Sequence, residues 1–475
     1  MRLFTPSRIP VLLLAGLGSL TTLANAQEPE PRSKPAPHRS PATPQADPGL
    51  AFAPAPIEID GLLATPIDIH KVTGTAVFDL ETVKANATAE MHFVMSATGM
   101  PVFDLRQDIT KVWLDGEEVD PATMAAHDFG PGASTMRILE RTLESQSEHV
   151  LRFEYPLRQP QSRQSDPIGW GDLNTLTWDF FFSDLNPGRY LEMWFPSNLI
   201  YDQFPFSLEL QLKNAGSKHL LLTNGAVEEK GKHHWMIVFP KYFTPISQML
   251  TVVPEDDVDT GEKTITTPDG QKIKLEVAVR KDAGATVKQT IRMTADAIEE
   301  FTESTGPWVH GPRCVVYVWP GSRSMEYNGA TTTSIDALEH ELFHSWYARG
   351  VMPADQNTGW MDEAWTMVNT SRIKKSWLDQ DTTSPVQLSF ENPWNRTTPG
   401  LSYSSGAKFF AQLMGRVGVE EFRKLMADFY VKYTLKVVST ETLQQFLIQE
   451  TGDEGIEAMF SRYVYGKDVE IPSKD

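Results

Sequence analysis

The stretch His340-Glu-Leu-Phe-His-Ser-Trp-Tyr-Ala-Arg-Gly-Val-Met-Pro-Ala-Asp-Gln-Asn-Thr-Gly-Trp-Met-Asp-Glu363 contains an H-E-x-x-H pair. After eighteen intervening residues it ends on a carboxylate. On a helix over residues 335–347, His340 and His344 lie four apart on one face, one turn above the other. Two imidazoles so placed reach a single Zn²⁺ at about 2.0–2.1 Å, with Glu363 completing a His₂Glu set and water in the fourth position. Glu341, next to the first ligand, can then take a proton from that water. This is the donor spacing of a mononuclear zinc hydrolase with one ion per chain, and a metallopeptidase is the leading reading. The plainer alternative makes both histidines ordinary surface or core residues and Glu341 a solvated charge. Two His, an intervening Glu and a correctly spaced third acid together weigh against it.

The flanks of the motif agree with a helical pair. Ser334 stands where an N-cap would, and Leu338, Leu342 and Phe343 can pack the faces around the ligands. Gly350, Pro353 and Gly359 mark a loop, and a second helical run from Trp360 would return Glu363 on an antiparallel partner. Upstream, Val287, Ile291, Ala295, Ile298 and Phe301 recur at spacings of three and four, which predicts a helix. The apolar run Cys314-Val-Val-Tyr-Val-Trp319 predicts a buried strand. Cys314 is the single cysteine, so an intramolecular disulfide is excluded and a buried inert thiol is expected. Beyond residue 403 the pattern is helical to the end.

From about residue 57 to 256 the pattern is β. Ala87, Ala89, Met91, Phe93 and Met95 alternate with polar residues, as do Leu151, Phe153 and Tyr155, and Phe206, Leu208, Leu210 and Leu212. Such half-buried strands predict an antiparallel sandwich or saddle. His92 falls on a polar face, and the adjacent His233 and His234 point to opposite faces, so neither predicts a second metal site. The aromatic segment 170–204 reads as core packing in preference to a ligand cage.

The first 26 residues have the form of an export signal. Arg2 and Arg8 precede an apolar run, and Ala24-Asn25-Ala26 fits a cleavage site. Residues 27–56 are a Pro/Ala-rich linker, expected to be disordered. The expectation is an exported protein, periplasmic or extracellular, with no membrane anchor after cleavage. Of 475 residues, 43 are Lys or Arg and 62 Asp or Glu. Losing the segment removes two Arg and no acid, which leaves 41 basic against 62 acidic side chains and a charge near −21. A balance of that sign argues against nucleic acid or an anionic membrane as partner.

With these residues in view, the chain resembles the M1 (gluzincin) aminopeptidase family over about residues 57–475, most strongly from 285 to 420. The order matches: a β-rich N-terminal part, a helix, a strand with a Met-Glu motif, H-E-x-x-H, the distant Glu, then a tyrosine before a helix. The resemblance implies an α+β multidomain fold, with a β-rich N-terminal domain over 57–256. A thermolysin-like, mainly helical zinc-peptidase domain with a small edge sheet would follow over 257–475. On this resemblance the chain is expected to be a minimal form, without the family's long helical C-terminal domain. It further implies His340, His344 and Glu363 as zinc ligands, Glu341 as general base, and peptides as substrates. Tyr403 would hydrogen-bond the oxyanion, although by itself it could equally be an ordinary helix-start aromatic. Glu326, in Ser324-Met-Glu-Tyr-Asn-Gly-Ala330, falls where the family binds the substrate's free α-amine. Only Met325 and Glu326 keep register; Arg323, Ser324 and Tyr327 depart from the usual pattern. A second amine anchor is expected from the β-rich part, with Asp179, Asp184 and Glu192 as candidates. Asp336 is one guess for the acceptor behind His340. The start His344-Ser-Trp346 is also similar to the M61 glycyl-aminopeptidase group, which keeps that group and an endopeptidase open. A secreted binding protein with a structural zinc is the reading from another class.

Overall fold

The computed structural model describes residues 49–130, 133, 135–159, 167–371, 378 and 384–473. The expected signal over 1–26 and most of the linker lie outside them; of the linker's end, Gly49–Phe52 forms a short 3-10 turn. Among the described residues, no helix is long and apolar enough to cross a membrane.

The fold is α+β, with strands dominating as far as Arg280 and helices from Val287 onward. Period-two alternation builds the largest sheet. Lys84–Met95 buries Ala85, Ala87, Ala89, Met91, Phe93 and Met95 on one face, and Phe206–Lys213 buries Phe206, Leu208, Leu210 and Leu212. The two strands flank Leu62–Asp79 in a twelve-stranded sheet. It is mixed, which corrects the antiparallel expectation. Phe206–Lys213 runs parallel to Leu62–Asp79, with Phe206 opposite Val72 and Lys213 opposite Asp79. Met100–Asp104 also runs parallel to the start of that strand. Alternation fixes which face is buried but not the direction of a neighbour, and parallel pairing needs only a long enough return path.

The aromatic segment lies inside the core, as expected. Trp178, Phe180, Phe182, Tyr190, Trp194 and Phe195 are fully buried in the largest apolar cluster. Trp194 Nε1 donates to the Phe180 carbonyl at 2.9 Å, satisfying the one polar atom this ring brings inside.

A five-stranded sheet, Val258–Thr266, Lys272–Arg280, Arg313–Val318, Ala330–Thr333 and Met325–Tyr327 in that spatial order, forms a wall between two apolar clusters. Alternation along Arg313–Val318 sends Val315 and Tyr317 into the first cluster, and Cys314, Val316 and Val318 into the second. Cys314 is the buried thiol the sequence predicts, and burial pushes its pKa up to about 12. The Met325–Tyr327 strand, carrying Glu326, closes one edge of this wall.

Seven helices are described: α1 Val287–Ser304, α2 Leu338–Phe343, α3 Trp360–Thr370, α4 Ser405–Val417, α5 Val419–Tyr433, α6 Thr440–Thr451 and α7 Gly455–Tyr463. Thr286 caps α1 by accepting from the Gln289 amide. Two expectations need correction here. The chain beyond 403 is not helical throughout, because Val437–Val438 pairs in parallel with Met352–Pro353 and the chain leaves helix after Tyr463. A two-residue strand carries no periodicity to detect. The motif helix is also shorter than 335–347: a 3-10 turn over Ile335–Ala337 leads into α2, and His344 is its C-cap. Ser334 occupies the N-cap position of that turn without capping it through its side chain. Past His344 the chain folds under itself. Ala348 takes φ +104°, and a Cβ on Gly350 would lie 2.6 Å from the Trp346 carbonyl oxygen and 2.7 Å from the Tyr430 ring. The helix ends where Ala348 leaves helical φ, and only glycine fits at 350.

Candidate metal centre and active site

The histidines keep the relationship predicted for them despite the shortened helix. His340 and His344 stand one turn apart on α2, and α3 brings Glu363 against both. The Nε2 atoms of His340 and His344 are 3.2 Å apart, and Glu363 Oε2 is 3.3 Å from the first and 3.5 Å from the second. Donors about 2.1 Å from one tetrahedral ion stand about 3.4 Å from each other. The three atoms therefore have the spacing of three corners of a zinc tetrahedron.

The tautomers agree with that geometry. His344 Nδ1 lies 3.3 Å from the Tyr347 carbonyl oxygen, which can only accept, so Nδ1 carries the proton and Nε2 the lone pair. The Thr370 hydroxyl donates to the Thr366 carbonyl at 2.8 Å. Its oxygen is thus left to accept from His340 Nδ1 at 3.3 Å. Thr366 Oγ1 stands 3.2 Å from His344 Nδ1. Glu363, Thr366 and Thr370 share one face of α3 at spacings of three and four, so a single helix carries one acid and the two hydroxyls behind the imidazoles. The sequence reading missed both threonines. Asp336, its guess for the role behind His340, is exposed, and the acceptor there is Thr370. The signal that could have found them was the i+3 and i+7 offset from Glu363.

Four more carboxylates gather around this centre. Glu341 is 7 % exposed; burial and the Glu326 charge push its pKa well above the usual carboxylate range. Burial, followed by the charges of Glu363 and Glu326, does the same for Asp184. Asp362 is pushed up to about 8, chiefly by burial. Glu326 is buried on its edge strand. For Glu363 burial acts upward, but the two imidazoles outweigh it and hold the carboxyl well below its ordinary value. Burial alone would depress the His344 imidazole, yet Glu326 and Glu363 push it up. The field at this point favours positive charge. Glu326, His344 and Asp362 also form a second set of grouped donors. That set shares His344 with the first, and both its acids are engaged: Glu326 pairs with Arg349 at 2.7 Å, and Asp362 Oδ1 accepts from the Glu363 amide at 2.6 Å.

Tyr403, at the end of the 3-10 turn Gly400–Tyr403, donates to Glu363 Oε1 at 2.5 Å. Of the three candidate anchors from the β-rich part, only Asp184 interacts with this cluster of acids. Asp179 accepts from Thr251 and from the Phe181 amide, and Glu192 is fully buried against Arg396 at 2.8 Å. Both carboxylates are spent on holding the fold. Alternation and composition could not separate the three, because what differs is which partner each meets across the molecule.

No protein-family model and no curated protein matches the chain. Solved structures do. An M1 zinc metallopeptidase from Deinococcus radiodurans superimposes with TM-score 0.62 at 14% identity, covering 87% of this chain and 96% of that one. A mutant of the same enzyme, bound to a Tyr-Ser-Ala substrate, gives TM-score 0.62 at 16% identity over 86% and 96%. Aminopeptidase A of Legionella pneumophila, in complex with aspartic acid, gives 0.63 at 11% identity, covering 84% of this chain and 49% of that longer one. The chain has the fold of the M1 zinc metallopeptidases.

Proposed function

We propose that this protein is an exported zinc aminopeptidase, with His340, His344 and Glu363 holding one Zn²⁺ and peptides as its substrates. The observation that carries the proposal is the convergence of two Nε2 lone pairs and one carboxylate oxygen at tetrahedral spacing, with Glu341 beside them. A structural zinc site would close with four protein ligands. The primary set of grouped donors holds three, and a purely structural site would have no need of a base such as Glu341 next to it. Export is inferred from Arg2, Arg8, the apolar run and the Ala24-Asn25-Ala26 site. The N-terminal β-rich domain over 57–256 and the catalytic domain over 257–475 are the corresponding division of the chain.

Zn²⁺ bound here supplies Lewis acidity, which polarises a scissile carbonyl and acidifies water. Glu341, made more basic than an ordinary carboxylate by burial and the Glu326 charge, takes the proton of the attacking water and passes it to the leaving amine. Tyr403 donates its O–H to the carbonyl oxygen as that atom gains charge, releasing Glu363 Oε1 as it does so. Glu326 and Asp184 accept hydrogen bonds from the free α-ammonium and so place the first peptide bond at the centre.

The test is hydrolysis of a peptide amide with a free N-terminus and of its N-acetylated twin by zinc-loaded protein, with and without chelator. Cleavage of the free form only, abolished by chelation, is expected. Equal cleavage of both would mark an endopeptidase, and activity indifferent to chelation would overturn the proposal.

A further inference from the structure

Arg349 is a basic side chain set directly against Glu326 in this group of acids. It is 1 % exposed, and it is not one of the residues that the sequence singled out. Five residues after His344, it follows Ala348 with its φ of +104° and precedes the sterically obligatory Gly350. The guanidinium lies against the edge strand. Arg349 Nη2 donates to Glu326 Oε1 at 2.7 Å, and Nε donates to the Glu326 carbonyl oxygen at 3.4 Å. The pairing is reciprocated through the backbone, since Asn328 Nδ2 donates to the Arg349 carbonyl oxygen at 3.2 Å. Strand Met325–Tyr327 and the exit of the motif helix are thereby fastened at three points.

The consequence lies in what remains of the Glu326 carboxylate. Arg349 occupies Oε1, and Oε2 has no hydrogen-bond partner among the described residues. A carboxylate held through one oxygen by a rigid planar donor presents the other in a fixed direction, whereas a free glutamate would sample several rotamers. We infer that Arg349 is a positioning residue, which fixes Glu326 so that its second oxygen accepts the substrate's free α-ammonium. This rests on the aminopeptidase reading. It goes beyond it by assigning the selection of free N-termini to a pair whose basic member never touches the substrate.

Hydroxamates test it on the full-length, zinc-loaded protein. Acetohydroxamate reports the metal centre alone, and leucine hydroxamate adds an α-amine. The wild type should bind the amine-bearing compound more tightly. In Arg349→Met that margin should fall about tenfold or more, with KM for free-amine peptide amides rising and kcat nearly unchanged. The acetohydroxamate inhibition constant should stay within about twofold, since no metal ligand is altered. Arg349→Lys keeps the charge but not the planar fork, so it should recover part of the margin. A wild-type margin retained in Arg349→Met overturns the inference and leaves the aminopeptidase reading standing. If Arg349→Met does not fold, an undiminished margin in Arg349→Lys overturns it equally. A wild type with no margin overturns the aminopeptidase reading and this inference with it.

Discussion

The phenol of Tyr403 donates to one oxygen of Glu363 at 2.5 Å, while the other oxygen of that carboxylate faces both histidines. A single carboxylate thus spans the predicted ligand set and the predicted oxyanion donor, although forty residues of sequence separate it from Tyr403. Removing the phenol should spare zinc and impair the reaction. Tyr403→Phe is expected to lower kcat by about 10²–10³-fold, the range for loss of one oxyanion donor. Metal content by atomic absorption should remain one per chain. Normal kcat in that variant would remove Tyr403 from the chemistry.

Glu341→Gln preserves shape and burial but cannot take a proton. Turnover should drop by about 10²-fold or more, while zinc stoichiometry and thermal stability hold. The group's raised pKa also gives the activity a pH edge: kcat should fall as pH drops through that pKa and the carboxylate protonates. In Glu341→Gln this acid limb should vanish from the residual rate. A limb left unchanged would assign it to another group.

Arg396 is fully buried between Asp104 at 3.0 Å and Glu192 at 2.8 Å. Those two acids come from the β-rich part, whereas Arg396 belongs to the segment leading to Tyr403. Truncating it leaves two buried carboxylates without their cation, with only neutral donors such as Thr135 and Ser197 remaining. Arg396→Met should cost about 3–5 kcal/mol of stability, read from the urea midpoint at constant slope. A midpoint shift worth less than about 1 kcal/mol would mean that the triad contributes little to holding this segment.

His310 should make the fold acid-sensitive. Its Nε2–H donates to the Ser345 carbonyl at 2.7 Å, next to His344, and its buried Nδ1 has no partner among the described residues. Burial lowers its pKa from 6.5 to about 4. The folded protein therefore binds fewer protons than the unfolded chain between those values, and stability is lost as pH falls from about 6.5 toward 4. The contribution is at most about 3 kcal/mol. In His310→Gln the decline of Tm with acidification should flatten in that window. An unchanged slope would assign it to other groups.

The sequence by itself determined which donors could be grouped and the kinds of element. Four residues of helix put His340 over His344 whatever surrounds them, because helical pitch is a local property. Period-two and period-3.6 burial likewise located the strands Lys84–Met95 and Phe206–Lys213 and the helix Val287–Ser304. Only the tertiary structure decided which strands run parallel, that the motif helix stops at Phe343, and that Thr366 and Thr370 back the imidazoles. It alone separated Asp184 from Asp179 and Glu192, and set Arg349 on Glu326. Those outcomes depend on contacts between residues distant in sequence, where the partner is chosen by packing and by the need to satisfy each buried charge.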